Sequence, residues 1–205
     1  MSHVLVRGSG GSVSLPDPAT IMIDRADGGQ LVVHPPRRVW DRTALRHDEL
    51  IGWQLLVAAA ARAMLDTLPQ LADGCLNYWD AGNWALHHDA APAGAKHPQA
   101  SRVLHLHLCG RSRDSRDPSW PWGEQPSFPR HVDRFAWSQG KTALTAAECL
   151  AVVGRIVTTL REHHDDAAAQ HIVSGVCAAC GYPAPRADLD AATGRCPACR
   201  AVMLG

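Results

Sequence analysis

The chain carries no net charge: 20 acidic side chains cancel 20 basic ones, and the pI lies near 7. A neutral chain offers no basic field for nucleic acid or an anionic membrane. It also lacks a long apolar run, since the uncharged stretch around Ile51 to Ala61 is too short to span a bilayer. The N-terminus has no basic segment followed by an apolar one, so no export signal is expected. No internal repeat is visible. Seven cysteines are an odd set for a disulfide framework, and four of them fall into two CxxC pairs. That usage suits metal-bound thiolates in a reducing compartment, with the cytoplasm as the expected address. The 205 residues suffice for one ordinary core and a small appendage.

Read in order, residues 1–18 are rich in Gly, Ser and Pro, which predicts a loose start. Ile21–Asp24 and Leu31–His34 are short β-rich runs around Asp27-Gly28-Gly29, so the pattern predicts a hairpin closed by Pro35-Pro36. From Asp48 to about Leu68 the spacing predicts a long helix stopped by Pro69. One of its sides carries Ile51, Leu55, Ala58 and Leu65, the other Trp53, Val57, Ala61 and Met64. Apolar on two sides, it needs the sheet on one and either a second subunit or its own core on the other. Leu76–Trp79 and Asn83–Leu86 resemble strand on either side of Asp80-Ala81-Gly82, and residues 87–101 have loop composition. A second helix is expected from about Thr145, where Thr145 and Glu148 are spaced for a capping box, to a frayed end at His163–Asp166. Trp120, Trp122 and Trp137 either seal one side of the core or stack on a ligand at its edge. The sum is an α+β fold, an antiparallel sheet with helices on one face.

Two segments carry chemistry. Cys177-x-x-Cys180 and Cys196-x-x-Cys199 are separated by 15 residues, a spacing at which two tight turns on a short hairpin supply a tetrahedral zinc site. Four thiolates leave zinc no open position, so the expected role is structural. Second, Arg102–Arg111 alternates strictly. Leu104, Leu106 and Leu108 share one face of a strand, and Val103, His105, His107 and Cys109 the other. Two imidazoles side by side are costly to bury without partners, so such a strand has a task unless its histidines simply face water. A catalytic metal among His87, His88, His97, His105 and His107 ranks below phosphorus chemistry, because no carboxylate sits at ligand spacing in the strand.

With these residues in hand, the order of elements over roughly residues 20–135 resembles the histidine-triad superfamily. The points of likeness are the hairpin at 21–34 with "Asp-Gly-Gly-Gln-Leu-Val-Val-His-Pro", the helix at 48–68 and the Asn/Gly strand at 77–83. The ending His107-Leu108-Cys109-Gly110-Arg111 is also similar. So is Trp122-Gly123-Glu124 with Phe128-Pro129, which resembles bacterial diadenosine-polyphosphate hydrolase-like members. The resemblance implies a homodimer that hydrolyses or transfers nucleotidyl groups through a covalent nucleotidyl-histidine. Together with the composition of the start and the CxxC spacing, the expected division is a loose segment at 1–18, a histidine-triad-like domain at 19–170 and a zinc ribbon at 171–205. His105 and His107 would be catalytic, and Asp24, Asn77, Asn83, His87, Cys109 and Arg111 would meet a nucleotide or dinucleotide, Asp24 at the ribose and Ile23 with Leu31 to Val33 about the base.

The strand departs from the family in having two histidines where three are usual. If the triad ends at His107, Val103 replaces the first histidine and His105 is the nucleophile. If it begins at His105, His107 is the nucleophile and Cys109 replaces the third. The trailing Gly110-Arg111 favours the first register, and His87, His88 or His97 could supply the missing function. The competing reading is a degenerate triad that binds a nucleotide without cleaving it, with the ribbon recruiting a partner.

Overall fold

The computed structural model describes residues 3–165, 172 and 174–201. It is α+β. The elements run β1 (Val4–Gly8), β2 (Gly11–Ser14), β3 (Gln30–His34), α1 (His47–Thr67) and β4 (Cys75–Ala81). They continue with α2 (Pro98–Ser101), β5 (His105–Arg111), α3 (Arg134–Ser138) and α4 (Ala146–His163). The ribbon adds β6 (Ser174–Val176), β7 (Pro183–Pro185) and α5 (Pro197–Ala201). Strands β1-β2-β3-β5-β4 form one antiparallel sheet in that order, and β6 and β7 form a separate pair. Among the described residues no helix is long and apolar enough to cross a membrane.

The strand carrying the histidines lies between β3 and β4, so both its edges are paired. Its alternation is as the sequence predicts. Leu104, Leu106 and Leu108 are buried in the main core with Trp53 and Met64 of α1 and Ile156 of α4. That leucine face anchors the strand: three buried leucines are worth about 2 kcal/mol each against exposure. Helix α1 starts and stops within a residue of its predicted ends. Its buried side carries Trp53, Val57, Ala61 and Met64, while Ile51 and Leu65 of the other stripe are exposed. Helix α4 packs along α1, and Arg155 clamps Asp66 of α1 at 2.6 Å. The capping box of α4 is formed as expected, with Glu148 Oε2 accepting from Thr145 N at 2.8 Å.

Three expectations are corrected. The Gly/Ser-rich start at 1–18 holds two strands: β1 and β2 make a hairpin whose Leu5, Val6 and Val13 enter the core. Composition pointed to flexibility because the small residues serve the turn and its close packing, not a linker. Second, Ile21–Asp24 is not the partner of β3. Asp24 instead caps a 3₁₀ turn at Arg25–Asp27 and accepts from Thr142 N at 2.6 Å, and β2 takes the place on β3. Third, Asn83–Leu86 is a 3₁₀ turn rather than a strand, because Gly82 at φ 124° turns the chain out of the sheet.

At the far end of β5, Gly28 and Gly110 meet backbone to backbone: a Cβ on Gly110 would lie 2.1 Å from the Gly28 carbonyl oxygen. That contact brings the Gly28-Gly29 turn onto β5, where Gly110 N donates to Gly29 O at 2.8 Å. The predicted domain boundary at 170/171, the frayed end at Asp166 and the ribbon's last residues, 202–205, lie outside the described residues. The described ribbon docks on β1, with Arg7 paired to Asp188 at 3.1 Å and His3 Nε2 bonded to Pro183 O at 3.1 Å.

Candidate functional site

On the face of β5 opposite the leucines, pairing decides what stands beside each imidazole. His105 lies opposite Ala81 and His107 opposite Trp79 of β4, while Val32 of β3 is opposite His107 from the other side. The next residue of that strand on the same face, His34, brings its ring to 5.8 Å from that of His105, at 29°. The His105 and His107 rings meet edge to face at 4.9 Å, and Trp79 lies 5.5 Å from His107. Both strand histidines line a cleft of about 190 Å³ whose walls are Met22, Trp79, Ala81, Trp84, Ala85 and Val103. Thr20, Asp80 and Asn83 are its remaining polar side chains, and no arginine or lysine among the described residues lines it.

Hydrogen bonds set the protonation of the two rings oppositely. His105 Nδ1 lies 2.9 Å from the Val103 carbonyl oxygen, which can only accept. Nδ1 therefore carries the proton, and Nε2 keeps its lone pair. Around His107 the logic starts from Met22 N, which donates to Gln30 Oε1 at 2.9 Å. That bond orients the amide of Gln30 and turns its NH₂ to His107 Nδ1, 2.5 Å away. His107 Nδ1 therefore accepts, and Nε2 holds the hydrogen.

Burial keeps the rings neutral. It holds His105 below the usual imidazole range, against the pull of the Val103 carbonyl and Asp80. His107 falls to about 3 through burial and then the neighbouring His105 and His34. His34 falls to about 4 through burial, then His105 and Arg7. One neutral ring thus offers an electron pair and its neighbour a hydrogen bond, 2 residues apart on one strand.

The other residues singled out in the sequence scatter. Asn83 lines the cleft. Asp24 does not; it borders a separate shallow concavity with Asp27, Arg116, Asp117 and Lys141, its carboxylate occupied by Ala26 N and Thr142. Asn77 shares the histidine face of the sheet but lies opposite Cys109, outside the cleft lining. Cys109 is fully buried against Met22, Ile23 and Trp120, and burial pushes its thiol up to about 12. Arg111 is buried too: Nη1 donates to Glu124 O at 2.7 Å, and the guanidinium sits 4.7 Å over Trp120. His87 stacks on His88 and His131 instead of entering the cleft, and His97 precedes α2 away from its lining. Ile23 packs with Cys109, and Leu31 and Val33 face the helices.

A single strand pattern could not reveal the residues that long-range pairing adds: His34, Gln30 and Trp79. The aromatic walls of the cleft are Trp79 and Trp84. Trp120 seals the core, its Nε1 donating to Gly110 O at 2.8 Å, and Trp137 donates to Met22 O at 3.1 Å.

The second centre is the four-cysteine cluster. The Sγ atoms of Cys177, Cys180, Cys196 and Cys199 all lie within 4.8 Å of one another, and none is in a disulfide. A tetrahedral thiolate site with metal–sulfur bonds of about 2.3 Å places sulfurs about 3.8 Å apart. Cys180 and Cys196 are 4.0 Å apart, so the donors fit a metal ion with little movement. Burial resists ionisation of Cys177, but backbone N–H groups of Cys196, Cys180 and Ala179 outweigh it and draw the thiol down to about 6. His87, His88 and Asp89 also bring their donor atoms together, without His105 or His107. The five-histidine metal centre therefore does not assemble in this structure.

Compared with known proteins, the chain matches no family model and no curated relative.

Proposed function

We propose that the chain is a nucleotidyl hydrolase or transferase of histidine-triad type, with His105 as nucleophile and His107 as hydrogen-bond donor to the reacting phosphoryl group. The carrying observation is the opposed protonation of the two rings in one apolar-walled cleft. The Nε2 lone pair of His105 attacks the α-phosphorus of a nucleotide, forming an N–P bond as the P–O bond to the leaving group breaks. His107 Nε2–H donates a hydrogen bond to the departing oxygen and stabilises the charge developing there, while the neutral ring keeps its proton. Water or another acceptor then attacks the phosphorus, the N–P bond breaks with its electron pair returning to His105 Nε2, and the proton of the attacking group passes to solvent. Trp79 and Trp84 offer flat walls for a base, and Asn83 a polar contact. The burial of Cys109 favours the register that ends at His107 over the one that would use the thiol.

In the same reading the four cysteines hold zinc, which with all positions filled fixes the ribbon's fold and takes no part in the reaction. The exposed Ile51 and Leu65 of α1 are the surface for a second copy; a monomeric mass in solution would remove that part. Unpaired thiols suit a cytoplasmic setting.

The test is to incubate the full chain with adenylated mono- and dinucleotides and seek an adduct on His105 by mass spectrometry. His105→Ala should abolish both adduct and turnover, a loss of at least about a thousandfold. No adduct and no turnover across those substrates would sink the proposal. A second reading, nucleotide binding without cleavage, draws on Arg111 being turned inward to Glu124 and on the cleft having no arginine or lysine among the described residues. It expects nucleotide binding that replacement of both histidines by Ala leaves unchanged.

A further inference from the structure

His34 is a half-buried imidazole to which the scheme above gives no work. It does not line the cleft, yet its ring stacks on that of His105 at 5.8 Å, and its Nε2 meets Ser14 Oγ at 3.1 Å. Ser14 is wholly buried, so that bond is sheltered from water.

The need for a support is visible around His105. The torsion that turns an imidazole about its Cβ–Cγ bond is broad and has weak intrinsic preference, so neighbours must choose the ring plane. Across β4 the partner of His105 is Ala81, whose methyl group gives the ring no flat wall. His107 touches it only edge to face, at 66°. Val103, at the position before it on the same face, provides its carbonyl oxygen but no ring. The near-parallel surface against His105 is His34, delivered by β3 and itself held by Ser14 of β2.

We propose that His34 is a positioning residue for His105. By stacking on the ring while bonded to Ser14, it keeps Nδ1 on the Val103 carbonyl and Nε2 toward the cleft. Three strands thereby fix one nitrogen lone pair. For its consequence in catalysis this rests on His105 being the nucleophile; the ring geometry itself does not.

The experiment uses the full, metal-loaded chain with ¹⁵N-labelled histidine, reading the His105 ring nitrogens by NMR in wild type, His34→Phe, His34→Ala and Ser14→Ala. Wild type should show a single tautomer, protonated at Nδ1. His34→Phe keeps a flat ring and should keep that signature. His34→Ala should give a mixture of tautomers, and kcat should fall about tenfold with little change in KM. Unchanged ring signals in folded His34→Ala would overturn the proposal. Should His34→Ala not fold, the other two variants decide: a mixed tautomer in His34→Phe overturns it, and a single tautomer there with partial mixing in Ser14→Ala supports it. Absence of nucleotide turnover in wild type would count against the proposed function alone, because the nitrogen signals need no substrate.

Discussion

In the ribbon, Cys177, Cys180, Cys196 and Cys199 need only two tight turns and the β6/β7 pair to meet, and all four lie within a stretch of the chain from 177 to 199. In the cleft, His105 depends on Val103 of its own segment, His34 of β3 and Ala81 of β4, and His107 depends on Gln30, 77 residues earlier. Both centres gather groups that are costly to hold apart from their partners. The ribbon does so by local turns and donor chemistry, the cleft by strand pairing backed with a leucine face. The ribbon should therefore fail when its ligand is withdrawn, and the cleft when the sheet or its hydrogen bonds are disturbed.

The sharpest separation comes from metal removal. A metal ion held by four thiolates contributes on the order of 10 kcal/mol to a small ribbon. Chelation, or Cys177→Ser, should abolish hydrogen-exchange protection over 174–201 while β5 amides keep theirs. Simultaneous loss in β5 would show that the docking contacts Arg7–Asp188 and His3–Pro183 make the two regions one cooperative unit.

Acid should strike the cleft through its neutral rings. His34 and His107 titrate near 4 and 3 when folded but near 6.5 when unfolded. The unfolded chain thus binds more protons below 6.5, and this part of the stability is complete above that pH and drains away as pH falls toward the folded values. The full effect is roughly 3 kcal/mol for His34 and roughly 5 kcal/mol for His107. Urea midpoints followed by Trp fluorescence should decline from pH 6.5 to 4.5, and less steeply in His34→Phe. Equal slopes in the two proteins would contradict the neutral burial of His34.

Smaller still is the effect of Gln30→Glu. A carboxylate accepts where the amide donates, so His107 would carry its proton on Nδ1 and lose it from Nε2. With the Nε2–H hydrogen bond removed, kcat should drop about a hundredfold while the ribbon's metal content stays unchanged. Rates equal to wild type would mean that His107 is not the hydrogen-bond donor to the reacting group. Least of all, Thr145→Ala should cost about 1 kcal/mol by opening the capping box of α4, read as a shift in urea midpoint.

Much of this was legible beforehand wherever a pattern is local. The alternation of Leu104–Cys109, the limits of α1, the Thr145 cap and the CxxC spacing each express a rule acting within a few residues, and each appears in the structure. The failures share a cause as well. Gly8–Ser12 read as part of a loose start because small residues signal freedom unless a neighbouring strand captures them, as β3 does β2. Ile21–Asp24 read as strand because nothing local shows that Thr142 will claim the Asp24 carboxylate.

By itself, then, the sequence determined the α+β class, which strand carries the imidazoles, which face they share and which thiols converge. Tertiary structure alone decided that Gln30 orients His107, that His34 rather than residue 103 supplies the ring beside His105, and that Asp24, Cys109 and Arg111 are spent on packing and capping. The reason is physical: periodicity sends a side chain to one face of a strand, whereas its partner there is chosen by register between segments far apart in the chain.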